Sequence, residues 1–328
     1  MAVELREVSR NEWDGYLKEA PYVTPFHTRD WLESLETVHR APWMPLGIFR
    51  DGDLIGLFPC FSVRKAFLKL FVSPLTGWAT PYLGPLCPQD TLAEVIRAFL
   101  DLGKGADYVE VLSPPEVKFL PEAIERHTYI LSLDKSVDEL WKGLKRECRN
   151  RVRKAQKSGV EVEEVTSPEF FEDYIRMAYD VYAKAKRLPP IPISLFFLLW
   201  ERLRPKGAMR VLAAKYKEEP VAAAVFLMYR DTVYFWDGVS YRWAYPLAPN
   251  NLLHWCIIKW AAQEGFRRYD MLGADIPGIG RFKSTFGPKL VSYPYLFRPL
   301  TLQGKLGRAF YKKMAPVARC LKYWLKGR

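Results

Sequence analysis

At 328 residues, with 49% hydrophobic and 26% charged residues, the chain is long enough for two domains and too apolar for disorder. Its net charge of +12 favours an anionic partner: nucleic acid, a phosphorylated ligand or an acidic membrane face. The five cysteines (Cys60, Cys87, Cys148, Cys256, Cys320) are far apart and form no C-x-x-C, which argues against a disulfide framework or a structural zinc and for a reduced, cytoplasmic setting.

Residues 1–10 show no apolar signal-peptide core, and no apolar run approaches the roughly 18 residues of a membrane span. Residues 3–8 alternate like an edge strand and 11–19 read as a short helix. Residues 30–39 form an amphipathic helix, with Thr28 as its N-cap. Two strands, 42–50 and 53–63, flank the turn Asp51-Gly52, a hairpin signal, and 67–72 is a third strand. Residues 73–88 are too rich in Pro and Gly for a long regular element; Trp78 and Tyr82 there are candidates to line a ligand or simply to pack. A helix at 92–102 and strands at 108–112 and 128–133 follow.

Residues 136–158 read as one helix, opened by Ser136 with Glu139 three residues later and stopped by Gly159. Its apolar face is Leu140, Leu144, Cys148, Val152 and Ala155; its other sides carry Arg149, Arg151, Arg153 and Lys154 among eight basic residues, a stripe suited to phosphates or a plain solvated face. The second half repeats the mixed pattern: a strand at 160–165, helices at 167–186 and 193–204, three strands at 209–216, 221–229 and 232–239, a helix at 247–264, and strands at 268–272 and 289–297. Similar element order in both halves predicts two α/β domains with a cleft between them. The boundaries drawn are 1–135 and 136–300, followed by a basic amphipathic helix at 302–328 that can lie on an anionic membrane face, dock on its own domain or lean on RNA.

The chain is organised around residues 269–287, YDMLGADIPGIGRFKSTFG: a short strand, then a turn holding Gly273, Pro277, Gly278 and Gly280, then Phe282-Lys283 and Phe286-Gly287. A lysine here can place a positive charge in a partly apolar site, where charge acts more strongly than in water. The histidines (His27, His39, His127, His254) are scattered and read as structural.

Residues 144–160, LKRECRNRVRKAQKSGV, resemble the R-x-x-I-R-K-A-x-K-x-G-V signature of the Fem-type peptidyltransferases, and 269–287 resemble their Y-D-x-x-G…G-x-x-x-F-K-x-x-F-G signature. Residues 26–36, FHTRDWLESLE, are similar to the start of the family's N-terminal domain, and the likeness spans roughly residues 20–298. The resemblance implies two GNAT-like mixed-sheet domains packed around a cleft (α/β, or α+β) without the coiled-coil arm of larger members. It implies transfer of an amino acid from aminoacyl-tRNA to an amine on a peptidoglycan precursor, with no cofactor and no metal.

By that resemblance Lys283 steadies the oxyanion and meets the tRNA end, with Phe282 and Arg281 beside it, and Arg187 meets the acceptor's phosphate. Tyr241, Trp78 and Tyr82 are further acceptor-side candidates. The general base stays open among Asp270, Asp237 and Asp275; Asp270 can equally brace the loop. The helix 30–39 has no counterpart of the family's phosphate-binding lysine, which leaves room for a lipid-linked or non-peptidoglycan acceptor. Two other readings stand beside this one. One is a GNAT-like acyl-CoA transferase, although residues 241–251, YRWAYPLAPNN, hold no glycine to cradle a pyrophosphate. The other is a non-catalytic RNA- or membrane-binding relative.

Overall fold

A computed structural model describes residues 3–117, 123–307 and 310. The chain divides into two compact units. The first takes residues up to Arg126 and the chain from Ser292, and the second takes His127–Val291.

In the first unit, β1 (Val3–Glu7) is followed by α1 (Arg10–Leu17) and α2 (Arg29–His39). The antiparallel strands β2 (Trp43–Arg50), β3 (Asp53–Lys65) and β4 (Leu68–Ser73) come next, and α3 (Leu92–Leu102) crosses over to β5 (Tyr108–Leu112), parallel to β4. Two of the helix starts have a local cause. Ser9 and Glu12 cap α1 reciprocally, and the Thr28 hydroxyl accepts from Trp31 N–H at the start of α2. The apolar faces of β2, β3, β5 and α3 meet in a core that includes Ile48, Phe58, Val95, Phe99 and Val109, where Phe58 and Phe71 both stack on Phe99.

The second unit runs through the same sequence of elements. After β6 (Ile124–Ser132), α4 (Val137–Gly143) and α5 (Arg146–Lys157) come β7 (Val160–Glu164), α6 (Phe170–Ala183) and α7 (Ile193–Leu203). The antiparallel strands β8 (Met209–Tyr216), β9 (Glu219–Tyr229) and β10 (Thr232–Ser240) follow, and α8 (Pro249–Gln263) crosses over to β11 (Arg268–Asp270), parallel to β10. The chain then forms α9 (Pro277–Ser284) and β12 (Lys289–Pro299). The strand order is β1-β2-β3-β4-β5-β12 in the first unit and β6-β11-β10-β9-β8-β7 in the second. The last strand of each sheet is thus exchanged in sequence: β12 pairs with β5, and β6 pairs with β11. The units therefore do not follow the boundary at 135, because no local signal in either strand says which sheet it will join.

Two elements differ from their sequence reading. The helix expected at 136–158 is two helices. Leu144 and Lys145 are extended (ψ 141° and 150°), and Lys145 N–H donates to the Thr285 carbonyl at 2.8 Å. The apolar positions keep a helical spacing through the break, and Leu140, Leu144, Cys148, Val152 and Ala155 are all buried. Pattern alone therefore could not reveal it. The Gly- and Pro-rich turn after β11 holds a helix, α9, which Pro277 opens in its first turn. Gly280 is tolerated in its middle because a Cβ there would lie 2.5 Å from the Ala274 carbonyl. In the tail, residues 302–307 are helical; most of the expected helix 302–328 lies outside the described residues. Among the described residues no helix is long and apolar enough to cross a membrane, and the longest has 15 residues, so no coiled-coil arm is present there.

Candidate active site

The 269–287 stretch builds its site by bending sharply just past β11. Leu272 and Gly273 are both left-handed (φ 48° and 51°), a conformation that costs a leucine about 1 kcal/mol or more. The bend aims two consecutive carbonyls at one point. Lys283, in the last turn of α9, fills that point: Nζ donates to the Leu272 carbonyl and, at 2.9 Å, to the Gly273 carbonyl. The lysine is only 5% exposed, while Gly273 above it is exposed, so the ammonium sits just under the surface of the loop. Its third side meets the Phe235 ring, 5.4 Å from Nζ. Burial lowers its pKa to about 8, with Asp270 and Asp237 pulling the other way.

Asp270, at the end of β11, is also buried. It accepts from the Thr128 hydroxyl at 2.6 Å and from Leu272 N–H at 2.9 Å, so it pins the left-handed bend to β6. Asp275 accepts from His127 Nδ1 at 2.9 Å, the second tie between this loop and β6. Asp237, on β10, accepts from the Tyr174 hydroxyl of α6 at 2.7 Å, and burial raises its pKa to about 6. Beneath the lysine lies an aromatic nest. His254 of α8 contacts Phe235, Phe282 and Phe286 at ring separations of 4.5, 5.3 and 5.0 Å, and its Nδ1 is 2.7 Å from the Tyr269 hydroxyl. Burial drives the pKa of His254 down to about 3, with Lys283 adding to the effect, so the ring is neutral.

The other expected residues fall into distinct settings. Phe282 is half-buried in the nest, and Arg281, its neighbour on α9, is exposed. Arg187 is exposed after α6, near enough to Tyr182 to act on it electrostatically. Tyr241 stacks on Trp243 at 17° in the 3-10 segment Arg242–Leu247, and Arg242 N–H donates to Asp180 of α6. Arg151, Arg153 and Lys154 are exposed on α5. Arg149 is committed elsewhere. Its Nη1 donates to the Lys142 and Leu144 carbonyls, tying the end of α4 across the break to α5. In the first unit, Trp78 stacks flat on His39 at 4.2 Å, and Tyr82 is fully buried against Phe26 and Tyr293, so both rings are occupied by packing rather than open to an acceptor. His27 is fully buried too, with Nε2 2.8 Å from the Leu83 carbonyl. The Tyr174–Asp237 pair was not visible in the sequence, because 63 residues separate its members and neither lies in a motif. Among the described residues, no cluster of His, Cys, Asp and Glu is arranged to hold a metal.

Residues 142–284 match the family model described as an acetyltransferase (GNAT) domain. That match lies wholly within the second unit. FemX shares the fold over 89% of this chain and 96% of its own, with a TM-score of 0.65 and 16% identity. The C-terminal domain of a putative lysylphosphatidylglycerol synthetase from Agrobacterium fabrum covers 93% of this chain and 98% of its own (TM-score 0.56, 10% identity). A tandem GNAT protein from the clavulanic acid biosynthesis pathway covers 91% and 99% (TM-score 0.57, 10% identity). No curated protein matches by sequence. At such identities the likeness is one of fold: two GNAT-like mixed-sheet units, as the resemblance implied.

Proposed function

We propose that the chain is an aminoacyltransferase that moves an amino acid from aminoacyl-tRNA to an amine acceptor of the cell envelope, either a peptidoglycan precursor or a lipid-linked amine. The observation that carries this reading is the Lys283 ammonium, held beneath the Leu272–Gly273 bend by two carbonyls with an aromatic wall behind it. When an amine attacks an ester, charge moves onto the carbonyl oxygen. A cation fixed in such weakly polar surroundings stabilises that oxygen far better than one in water. A tRNA donor suits the net charge of +12 and the exposed Arg151, Arg153 and Lys154 of α5. FemX and the synthetase domain, similar in fold, support an aminoacyl donor with an envelope or lipid acceptor.

The family model's description favours a second reading, acetyl transfer from CoA. The start of α8 speaks against it. A pyrophosphate needs free N–H groups at a helix N-terminus, but Pro249 at the first position has none, and Asn251 N–H already donates to the Ala248 carbonyl. Incubation with radiolabelled aminoacyl-tRNA and a panel of peptide-, nucleotide- and lipid-linked amines tests the first reading. Label on an acceptor supports it; label that stays on tRNA across the panel, with CoA raising the melting temperature, replaces it with the second.

A further inference from the structure

Two aspartates, Asp270 and Asp237, act on Lys283, and a third, Asp275, lies in the same loop as Asp270; Asp270 and Asp275 are committed to holding that loop. Asp270 is closed in by Thr128 and Leu272 N–H, and Asp275 is tied to His127. Asp237 is placed differently. The pairing of β10 with β9 shifts register between Phe235 and Asp237, so that Phe235 lies opposite Phe226 and Asp237 lies opposite Val225. In an unbroken strand residues 235 and 237 would share a face. The bulge turns Asp237 away from the side where Phe235 packs on His254 of α8, and towards the side where Trp236 packs on Phe196 of α7. Its Oδ2 there accepts from the Tyr174 hydroxyl, and the carboxylate also accepts from Gly238 N–H, while the residue keeps partial exposure beside the exposed Gly238.

The geometry points to Asp237 as the general base that takes the proton from the attacking amine, oriented by Tyr174 on the bulge of β10. This role rests on the aminoacyl-transfer reading above. The acceptor nitrogen bonds to the ester carbonyl carbon, and one N–H proton passes to the Asp237 carboxylate. The tetrahedral centre collapses, the bond to the ribose oxygen breaks, and that oxygen takes the proton back from Asp237. The products are an amide and a free ribose hydroxyl, with the carboxylate restored. The groups that face Asp237 agree with this role. From α6, Tyr174 donates to it and Tyr182 lies within its field; Arg187, after α6, acts on Tyr182; and Lys283 of α9 opposes its protonation. Burial raises its pKa to about 6 against the pull of the Tyr174 hydroxyl, Gly238 N–H and Lys283, which leaves a carboxylate at neutral pH that is a stronger base than an exposed one.

The test uses the full chain with labelled aminoacyl-tRNA and an alkylamine acceptor, and reads kcat/KM as a function of pH. Asp237→Asn is expected to lower kcat/KM about 100-fold or more and to remove the acid limb that the wild type shows near pH 6. A loss of less than about tenfold, or an unchanged acid limb in the variant, would overturn the role while leaving the transfer activity standing. A wild-type protein inert with every acceptor would remove the activity and this role together. Should Asp237→Asn not fold, Tyr174→Phe decides. Losing a donor raises the carboxylate's pKa, so the acid limb of the pH–rate profile must move to higher pH, and an unmoved limb would reject the role.

Discussion

A leucine and a glycine in the left-handed region, a lysine under them and an aspartate bracing them make one unit, in which each residue explains its neighbour. Burial of Lys283 opposes its charge by about 3 kcal/mol, a cost that a purely structural brace would avoid by using a neutral donor. Lys283→Ala is therefore expected to lower the rate of aminoacyl transfer about 100- to 1000-fold, read as kcat with a saturating acceptor. The glycines of the same stretch differ in their tolerance. Gly278→Ala meets nothing within 4 Å, in the first turn of α9, and should leave the urea midpoint unchanged or raised. Gly287→Ala, left-handed (φ 79°) with its Cβ 2.5 Å from the Gly143 carbonyl, should lower stability by about 2 kcal/mol or more. Similar midpoints for the two variants would show that the motif glycines are not distinguished by sterics.

At the level of elements, the α4–α5 break and the Arg149 clamp replace the single basic helix read from sequence. That pattern recorded which residues face inward, and the burial of Leu144 and Cys148 agrees with it, but inward-facing positions keep their spacing whether or not the backbone between them is helical. The extended Leu144–Lys145 pair is set by a partner far along the chain, the Thr285 carbonyl, which no local propensity encodes. Arg149→Ala should cost about 1–3 kcal/mol by leaving the Lys142 and Leu144 carbonyls without their donor, while Arg151→Ala, exposed on the same helix, should stay within about 0.5 kcal/mol of wild type. Chemical denaturation of both variants checks this, and an equal effect would mean that the clamp contributes nothing. The candidate site was legible where neighbours are local, as at Lys283 and Phe282, which share α9. It was not legible where chain-distant elements meet, as at Tyr174–Asp237, or where an aromatic in a Pro/Gly loop such as Tyr82 turned inward to Phe26 and Tyr293.

For the whole molecule, the hairpin and crossover order was readable in both halves because apolar strand runs are bounded by turn residues such as Asp51-Gly52 and helices keep apolar residues at helical spacing, whereas the exchange of β6 and β12 depends on pairing across more than 100 residues. Stability as a function of pH is a property of the entire chain. Burial lowers the pKa of His27 to about 4 and of His254 to about 3, both below the unfolded value of 6.5. The unfolded chain therefore binds more protons than the folded one between these limits, and stability must fall as pH drops from about 6.5 towards 4. Thermal melts across that range check the sign, and a flat profile would place both rings in contact with water. The role proposed for the buried ammonium is tested most directly by one assay: transfer of label from aminoacyl-tRNA to an amine acceptor by the wild-type chain and by Lys283→Ala side by side. Label should reach an acceptor with the first and remain on the tRNA with the second; equal transfer by the two proteins would contradict the role assigned to the buried ammonium.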